Sequence, residues 1–207
     1  YALAPARDFY LAASGAYEVL TRQAGPTSIR TCAAADMQAA ARRALDIAAR
    51  SLELFSRLYA PYPYTELDIV ATPNLALGIE YPGAFALNQR LLTPEEDFQS
   101  APESVLLESV VAHETAHEWF YNLVGNDQLD DPWLDEALAQ YATLQYYEEA
   151  YGSQGAEGML DSFYGRWERV DREPIPIGLP VAEYAEGAYG AIVYGRGALF
   201  FEALRDE

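Results

Sequence analysis

The stretch VVAHETAHEWFYNLVG, residues 110–125, contains both histidines of this 207-residue chain. His113 and His117 lie four residues apart, and Glu114 directly follows the first of them. Apolar residues recur around the histidines at three- and four-residue spacing, which predicts an amphipathic helix over about 103–124. Both imidazoles are therefore expected on one buried face of that helix, one turn apart.

The pattern His-Glu-x-x-His on a helix can bring two imidazoles onto one divalent metal ion. Glu114 is turned away from the histidine stripe, so it is badly placed as a ligand but well placed to reach a water molecule at the metal. The motif also occurs by chance, and a buried histidine is more often a hydrogen-bonded core residue. Because a catalytic zinc usually takes three protein ligands, the metal hypothesis requires a third ligand downstream.

The segment DDPWLDEALAQY, residues 130–141, supplies a candidate third ligand. A helix is predicted to open after Pro132, and Glu136 lies on its first turn. Residues 118–135, eighteen positions, separate Glu136 from His117, which is enough for one helix to end and a second to return. Alone, Glu136 is a favourable acidic residue near a helix N-terminus. Together with the two histidines it predicts a three-ligand metal site.

These residues resemble a known family. HETAHEWFYNLVGND followed by WLDEALAQY is similar to the gluzincin metallopeptidases of the aminopeptidase N (membrane alanyl aminopeptidase) type. The resemblance implies a thermolysin-like catalytic domain that holds one zinc ion with His113, His117 and Glu136. It also implies a peptide substrate, removal of N-terminal residues, and Glu114 as the general base that activates water.

The stretch GIEYPG, residues 78–83, is similar to the exopeptidase segment of that family, typically Gly-x-Met-Glu-Asn. The resemblance implies that Glu80 binds the free amino group of the substrate. Ile79 replaces the methionine and Tyr81 replaces the asparagine, so the match is partial. An endopeptidase of the thermolysin type, which does not need Glu80, therefore stays open as an alternative.

The stretch VYGRGALF, residues 193–200, resembles the family segment Tyr-x-Lys-Gly. The resemblance implies that the hydroxyl of Tyr194 stabilises the transition state. Arg196 stands in place of the lysine, which keeps the charge but not the shape.

A third interpretation of the chain also stays open. It is a catalytically silent, peptide-binding domain in which zinc only stabilises the fold.

The remaining pattern predicts an α+β fold, in which a small N-terminal mixed sheet precedes mainly helices. We expect one catalytic domain over 1–207, a fragment of a larger protein, with a mostly sheet-containing lobe at 1–100 and a helical lobe at 101–207. Strands are predicted within 8–31, at 66–72 and at 77–87, and helices at about 33–59, 103–124, 134–151, 154–170 and 188–205.

Composition excludes several classes of function. The net charge of −19 opposes binding to nucleic acid and to anionic membrane surfaces. The longest apolar stretches are too short for a transmembrane helix, so no membrane insertion is expected. The single cysteine, Cys32, excludes an internal disulfide and any zinc site built from several thiolates. A monomer is the default expectation, and the sequence does not indicate a cellular location.

Overall fold

The computed structural model of the protein describes residues 8–93, 103–205 and 207. The chain divides into two units, Tyr1–Leu123 and Val124–Glu207. A mixed five-stranded sheet comes first and helices predominate after it, so the predicted α+β class is confirmed at that level. The lobe boundary that we predicted between residues 100 and 101 lies outside the described residues.

The sheet lies in the first unit and has the strand order β1-β2-β3-β5-β4. β3 runs between two parallel neighbours, β2 and β5, while β1 and β4 each pair antiparallel at an edge. The strands are β1 (Glu18–Ala24), β2 (Thr27–Ala33), β3 (Glu66–Thr72), β4 (Gly78–Tyr81) and β5 (Ala84–Asn88). The predicted strand at 66–72 is confirmed, whereas residues 9–14, which we also expected to be extended, form no strand.

Alternation along the strands gives the sheet one apolar face that is almost completely buried. Its largest side chains are at most 1% exposed: Ile29, Leu67, Ile69, Phe85 and Leu87. Helix α1 (Gln38–Leu58) packs on this face against β1 and β2 through an alanine-rich stripe, and it also contacts helix α2 (Glu103–Ala116). α2 in turn contacts β4 and β5, which brings the two-histidine helix to one edge of the sheet.

The opposite face of the sheet is more polar. Arg30 on β2 pairs with Asp68 on β3 at 2.6 Å, and Tyr81 stacks on Tyr10 with ring centroids 4.5 Å apart. Because neighbouring residues of a strand point to opposite faces, Tyr81 and Glu80 lie on different sides of β4. The side chain of Tyr81, where the sequence differs from the resembled family segment, therefore lies on the face opposite to that of Glu80.

Helix α2 ends at Ala116, so the prediction that it continues to about residue 124 is wrong. Beyond Ala116 the backbone tightens and turns, and Tyr121 adopts a positive φ of 107°. In this region the indole N–H of Trp119 donates to the carbonyl of Ala60 at 2.8 Å. Val124, the last residue of the predicted helix, is 69% exposed.

Among the described residues of the second unit, short 3₁₀ turns occur at Pro132–Leu134 and Val181–Glu183, and longer helical regions make up the other regular elements. Helix α3 (Glu136–Glu168) is interrupted at Gly152, which has φ +66°, close to the gap predicted between two helices at residues 152–153. The last helical region of the second unit consists of α4 (Ala188–Ala191), a π-helical segment (Ile192–Gly197) and α5 (Ala198–Arg205). Within the described residues, no helix combines the length and apolarity needed to cross a membrane.

Candidate active site

The two histidines face each other at the end of α2. His113 lies on the last turn of the helix and His117 directly follows it, its backbone N–H still donating to the carbonyl of His113 at 3.3 Å. Their Nε2 atoms are 3.1 Å apart, and the rings are perpendicular. Both side chains are buried, at 7% and 1% exposure. Two ring nitrogens thus converge on one point inside the protein.

The orientation of His117 is set by the turn that follows it. Its Nδ1 lies 3.0 Å from the carbonyl oxygen of Phe120, and because a carbonyl only accepts, Nδ1 carries the hydrogen. The lone pair of the neutral ring is then on Nε2, which points at His113. Such a bond to a backbone carbonyl is the usual way in which a metal-ligating histidine is oriented.

The spacing of the two Nε2 atoms fits zinc. Zinc–nitrogen bonds of about 2.0–2.1 Å in tetrahedral geometry place two ligating nitrogens about 3.4 Å apart. The observed separation of 3.1 Å is within a few tenths of an ångström of that spacing. The donor set at this point, two neutral imidazoles, is one that zinc commonly accepts.

Two carboxylates lie beside the histidine pair. Glu80 on β4, Glu114 on α2 and His117 each offer one ligand atom, and these atoms lie within 4.8 Å of one another. Glu114 is 5% exposed, whereas Glu80 is only partly buried. The first unit therefore brings together four residues that the sequence analysis singled out: His113, Glu114, His117 and Glu80.

The close approach of β4 to Glu114 depends on Gly78, which sequence reasoning missed. Gly78 and Glu80 lie on the same side of the strand because they are two residues apart. A Cβ atom on Gly78 would lie only 2.2 Å from Oε1 and 2.3 Å from Cδ of Glu114. The available signal was a glycine inside a strand, which often marks a place where another group comes close.

Glu118 is a second group that the sequence analysis did not single out. It is fully buried, and its Oε2 accepts hydrogen bonds from the backbone N–H of Gly83 and from the hydroxyl of Tyr62, each at 3.0 Å. Burial raises the pKa of Glu118 to about 8, although the two hydrogen bonds favour the charged form. The sequence signal was a carboxylate directly after His117 within a run of buried residues.

Glu136 lies in the second unit, where it is the first residue of α3. The side chain of Asp135, itself buried, accepts a hydrogen bond from the backbone N–H of Glu136 at 2.9 Å. Just before it, the ring of Trp133 stacks on Phe201 with centroids 5.9 Å apart. The start of the helix is thus held in place, and an aspartate directly before the helix was the readable signal for the cap.

Tyr194 lies in the second unit as well, on the π-helical segment Ile192–Gly197. This segment packs closely on α3, because a Cβ atom on Gly197 would lie 2.7 Å from that of Ala137, the residue after Glu136. π-helical turns within helices frequently occur at functional sites. Glu136 and Tyr194 therefore lie on two elements that contact each other.

Arg196, which stands where the resembled family segment has lysine, takes part in packing. Its guanidinium lies 5.5 Å from the ring centroid of Trp167 and donates to the carbonyl of Ile175. Both partners belong to the second unit. The arginine at this position thus has an aromatic neighbour, Trp167, on which a planar guanidinium can stack.

Comparisons with known proteins identify relatives of the chain. The peptidase family M1 domain matches residues 43–206. Aminopeptidase M1-B of Oryza sativa subsp. japonica is 30% identical over 174 residues, which cover 78% of this chain and 19% of that protein. Endoplasmic reticulum aminopeptidase 2 of Bos taurus is 28% identical over 172 residues, 79% of this chain and 18% of that protein.

An archaeal relative has a similar level of identity. Probable aminopeptidase 1 of Saccharolobus solfataricus is 28% identical over 168 residues, which cover 78% of this chain and 21% of that protein. The chain thus spans about a fifth of the length of these relatives. The matched part includes every residue singled out above from His113 to Tyr194.

Proposed function

The chain belongs to peptidase family M1, and we propose that it removes N-terminal residues from peptides by zinc-dependent hydrolysis. The family match confirms the predicted relation to the metallopeptidases of the aminopeptidase N type. The observation that carries the proposal is the grouping of Glu80, Glu114 and His117 within 4.8 Å, beside a second histidine. Under this proposal, residues 1–207 form a single thermolysin-like catalytic domain.

His113, His117 and Glu136 are the proposed ligands of one zinc ion. The facing Nε2 atoms and the bond from His117 to Phe120 support the two imidazoles, and the capped start of α3 supports the carboxylate. When bound, a zinc ion with one anionic ligand supplies a Lewis acid that polarises a carbonyl group and lowers the pKa of a water molecule to about 7. The chain's own residues perform the remaining tasks.

Glu114 is the proposed general base. Its carboxylate accepts the proton of the attacking water and then passes a proton to the leaving amine. The position of its carboxylate supports this role, because one carboxylate oxygen lies within 4.8 Å of a ring nitrogen of His117 and of a carboxylate oxygen of Glu80. General acid–base groups of this kind typically contribute about 10²- to 10⁴-fold to the rate.

Glu80 is the proposed partner of the substrate's α-ammonium group, which sets the position of cleavage. β4, which carries it, is an edge strand, and an extended peptide can add main-chain hydrogen bonds to such an edge.

Tyr194 is the proposed donor of a hydrogen bond to the oxyanion that forms during hydrolysis. Loss of one such donor typically lowers turnover about 10²- to 10³-fold.

The test of the proposed function compares a peptide with a free N-terminus and the same peptide after N-acetylation. We expect kcat/KM to be about 10- to 150-fold higher for the free peptide, because hydrogen bonds to charged groups contribute about 1.5–3 kcal/mol. Glu80→Gln should remove most of this preference. Equal cleavage of both peptides by the unaltered protein would instead indicate an endopeptidase, and no cleavage of either would indicate a silent domain.

Gly78→Ala tests the close approach of β4 to the proposed base. The added methyl group would occupy space taken by the Glu114 carboxylate, so the flexible side chain is expected to move. A displacement of about 1 Å in a catalytic group can cost about 100-fold in rate, and we expect a loss of kcat of that order with little loss of stability. The measurements are kcat and the thermal midpoint.

Gly15→Ala is the matched control, because a Cβ atom there would have no atom within 4 Å. It should keep the kcat of the unaltered protein. Unchanged turnover in Gly78→Ala would show that the proposed position of Glu114 is not needed for catalysis.

A further inference from the structure

The turn between β4 and β5 is fastened to the end of α2 through Glu118. Gly83 occupies the turn with φ +75°, and its backbone N–H donates to Oε2 of Glu118 at 3.0 Å. The carbonyl of Gly83 accepts from the backbone N–H of Asp68 on β3 at 3.0 Å. The turn is thus held on one side by the central strand of the sheet and on the other by the residue after His117.

The accepting carboxylate at this contact is shielded from solvent. Glu118 is 0% exposed and Tyr62, whose hydroxyl lies 3.0 Å from the same Oε2, is 9% exposed. Water cannot readily replace a lost acceptor beside a fully buried carboxylate, so removing it leaves the partly buried N–H of Gly83 without its acceptor. The hydroxyl of Tyr62 would keep only its second acceptor, the carbonyl of Glu66 at 3.2 Å. The contact is therefore expected to be specific and costly to lose.

The position of Glu80 depends on this turn. β4 has only four residues, forms an edge of the sheet and pairs with β5 in the described structure. Glu80 lies three residues before Gly83, and its partner in the pairing of β4 with β5 is Phe85, two residues after Gly83. A movement of the turn would therefore carry Glu80 away from Glu114 and His117.

We infer that Glu118 is a positioning residue, which holds the β4–β5 turn on the end of α2 and so fixes the carboxylate of Glu80 beside Glu114 and His117. The inference deepens the proposed function and rests on it where it assigns Glu80 to the substrate's ammonium group. The fastening of Gly83 itself does not depend on that assignment. What matters is the acceptor oxygen at the position of Oε2.

The decisive variants differ in whether they retain that acceptor. Glu118→Gln keeps one carbonyl oxygen, which can accept from both Gly83 and Tyr62, whereas Glu118→Met keeps the approximate size and removes the acceptor. Thr115→Val is the control, because Thr115 is equally buried on α2 but its hydroxyl donates within the same helix, to the carbonyl of Val111 at 2.7 Å. All variants are made in the full chain and loaded with zinc.

The first readout is the preference for a free over an N-acetylated peptide. In Glu118→Met we expect KM for the free peptide to rise about tenfold or more and the preference to fall by a similar factor, with bound zinc unchanged. Glu118→Gln and Thr115→Val should keep the preference. The inference is overturned if Glu118→Met retains it, if both peptides lose activity equally, or if Glu118→Gln fails as Glu118→Met does.

The second readout is hydrogen exchange at the backbone amide of Gly83, which needs no activity. In the unaltered protein this amide should exchange at least about tenfold more slowly than an unprotected amide, and Glu118→Met should abolish the protection. An unprotected Gly83 amide in the unaltered protein would overturn the inference even if Glu118→Met does not fold. If the unaltered protein shows no preference for the free over the N-acetylated peptide while its Gly83 amide is protected, the proposed function is wrong but the fastening of the turn by Glu118 stands.

Discussion

Replacing Glu114 with Gln is expected to lower kcat for peptide hydrolysis by about 10²- to 10⁴-fold while zinc stays bound. The amide has nearly the same shape as the carboxylate but cannot accept the proton of the attacking water. The zinc content should not change, because Glu114 is not one of the proposed ligands. The measurements are kcat with a free-amine peptide and zinc per chain by atomic absorption.

A matched control for this variant lies on the same helix. Glu108→Gln removes a carboxylate that pairs with Arg50 at 3.4 Å, and it should leave both turnover and zinc content as they are. If Glu114→Gln turned over peptide at the rate of the unaltered protein, another group would have to be the base, and the proposed mechanism would be wrong.

Replacing Glu136 with Ala is expected to remove both zinc and hydrolysis. Catalytic zinc usually takes three protein ligands, so two imidazoles alone should hold the ion much more weakly. Loss of a group that only supports a ligand typically costs 10- to 100-fold in metal affinity or activity, and loss of a ligand should cost more. The measurements are zinc per chain after dialysis and kcat/KM.

Glu157→Ala, an exposed glutamate on the same helix, is the control for helix and charge effects. It should retain zinc and activity. A Glu136→Ala protein that kept one zinc ion per chain would exclude Glu136 from the ligand set and leave the third ligand to be found.

The sequence could predict the parts of the site that local periodicity and motif spacing specify. The four-residue repeat of His113 and His117 places both rings on one side of a helix, and the structure has their Nε2 atoms 3.1 Å apart. The alternation in residues 66–72 predicts the central strand at those positions. The proline and aspartate before Glu136 indicate where α3 begins.

The remaining features depend on contacts between residues distant in sequence. Directly after the end of α2 at Ala116, Glu118 and Trp119 make hydrogen bonds to residues distant in sequence. These partners are Gly83, Tyr62 and Ala60, and a helical pattern does not reveal them. An isolated Glu118 reads as one more acidic residue. Its position becomes meaningful only when the β4–β5 turn is seen against it.

Gly78 is a residue whose sequence signal can be read but whose neighbour cannot be predicted from the sequence. A glycine in a short strand signals that something approaches closely, but it does not say what. The structure identifies the neighbour as the carboxylate of Glu114, 2.2 Å from where a Cβ atom would lie. Residues 78 and 114 are brought together by the pairing of β4 with β5 and the packing of α2 on both strands.

The proposed metal centre is one zinc ion that His113, His117 and Glu136 hold and that peptide hydrolysis requires. It is tested most directly by measuring zinc per chain and hydrolysis of a free-amine peptide before chelation, after chelation and after zinc is added back. We expect one zinc ion per chain, loss of both zinc and hydrolysis with the chelator, and recovery of both with zinc. Hydrolysis that continues at full rate in the metal-free protein would contradict the account.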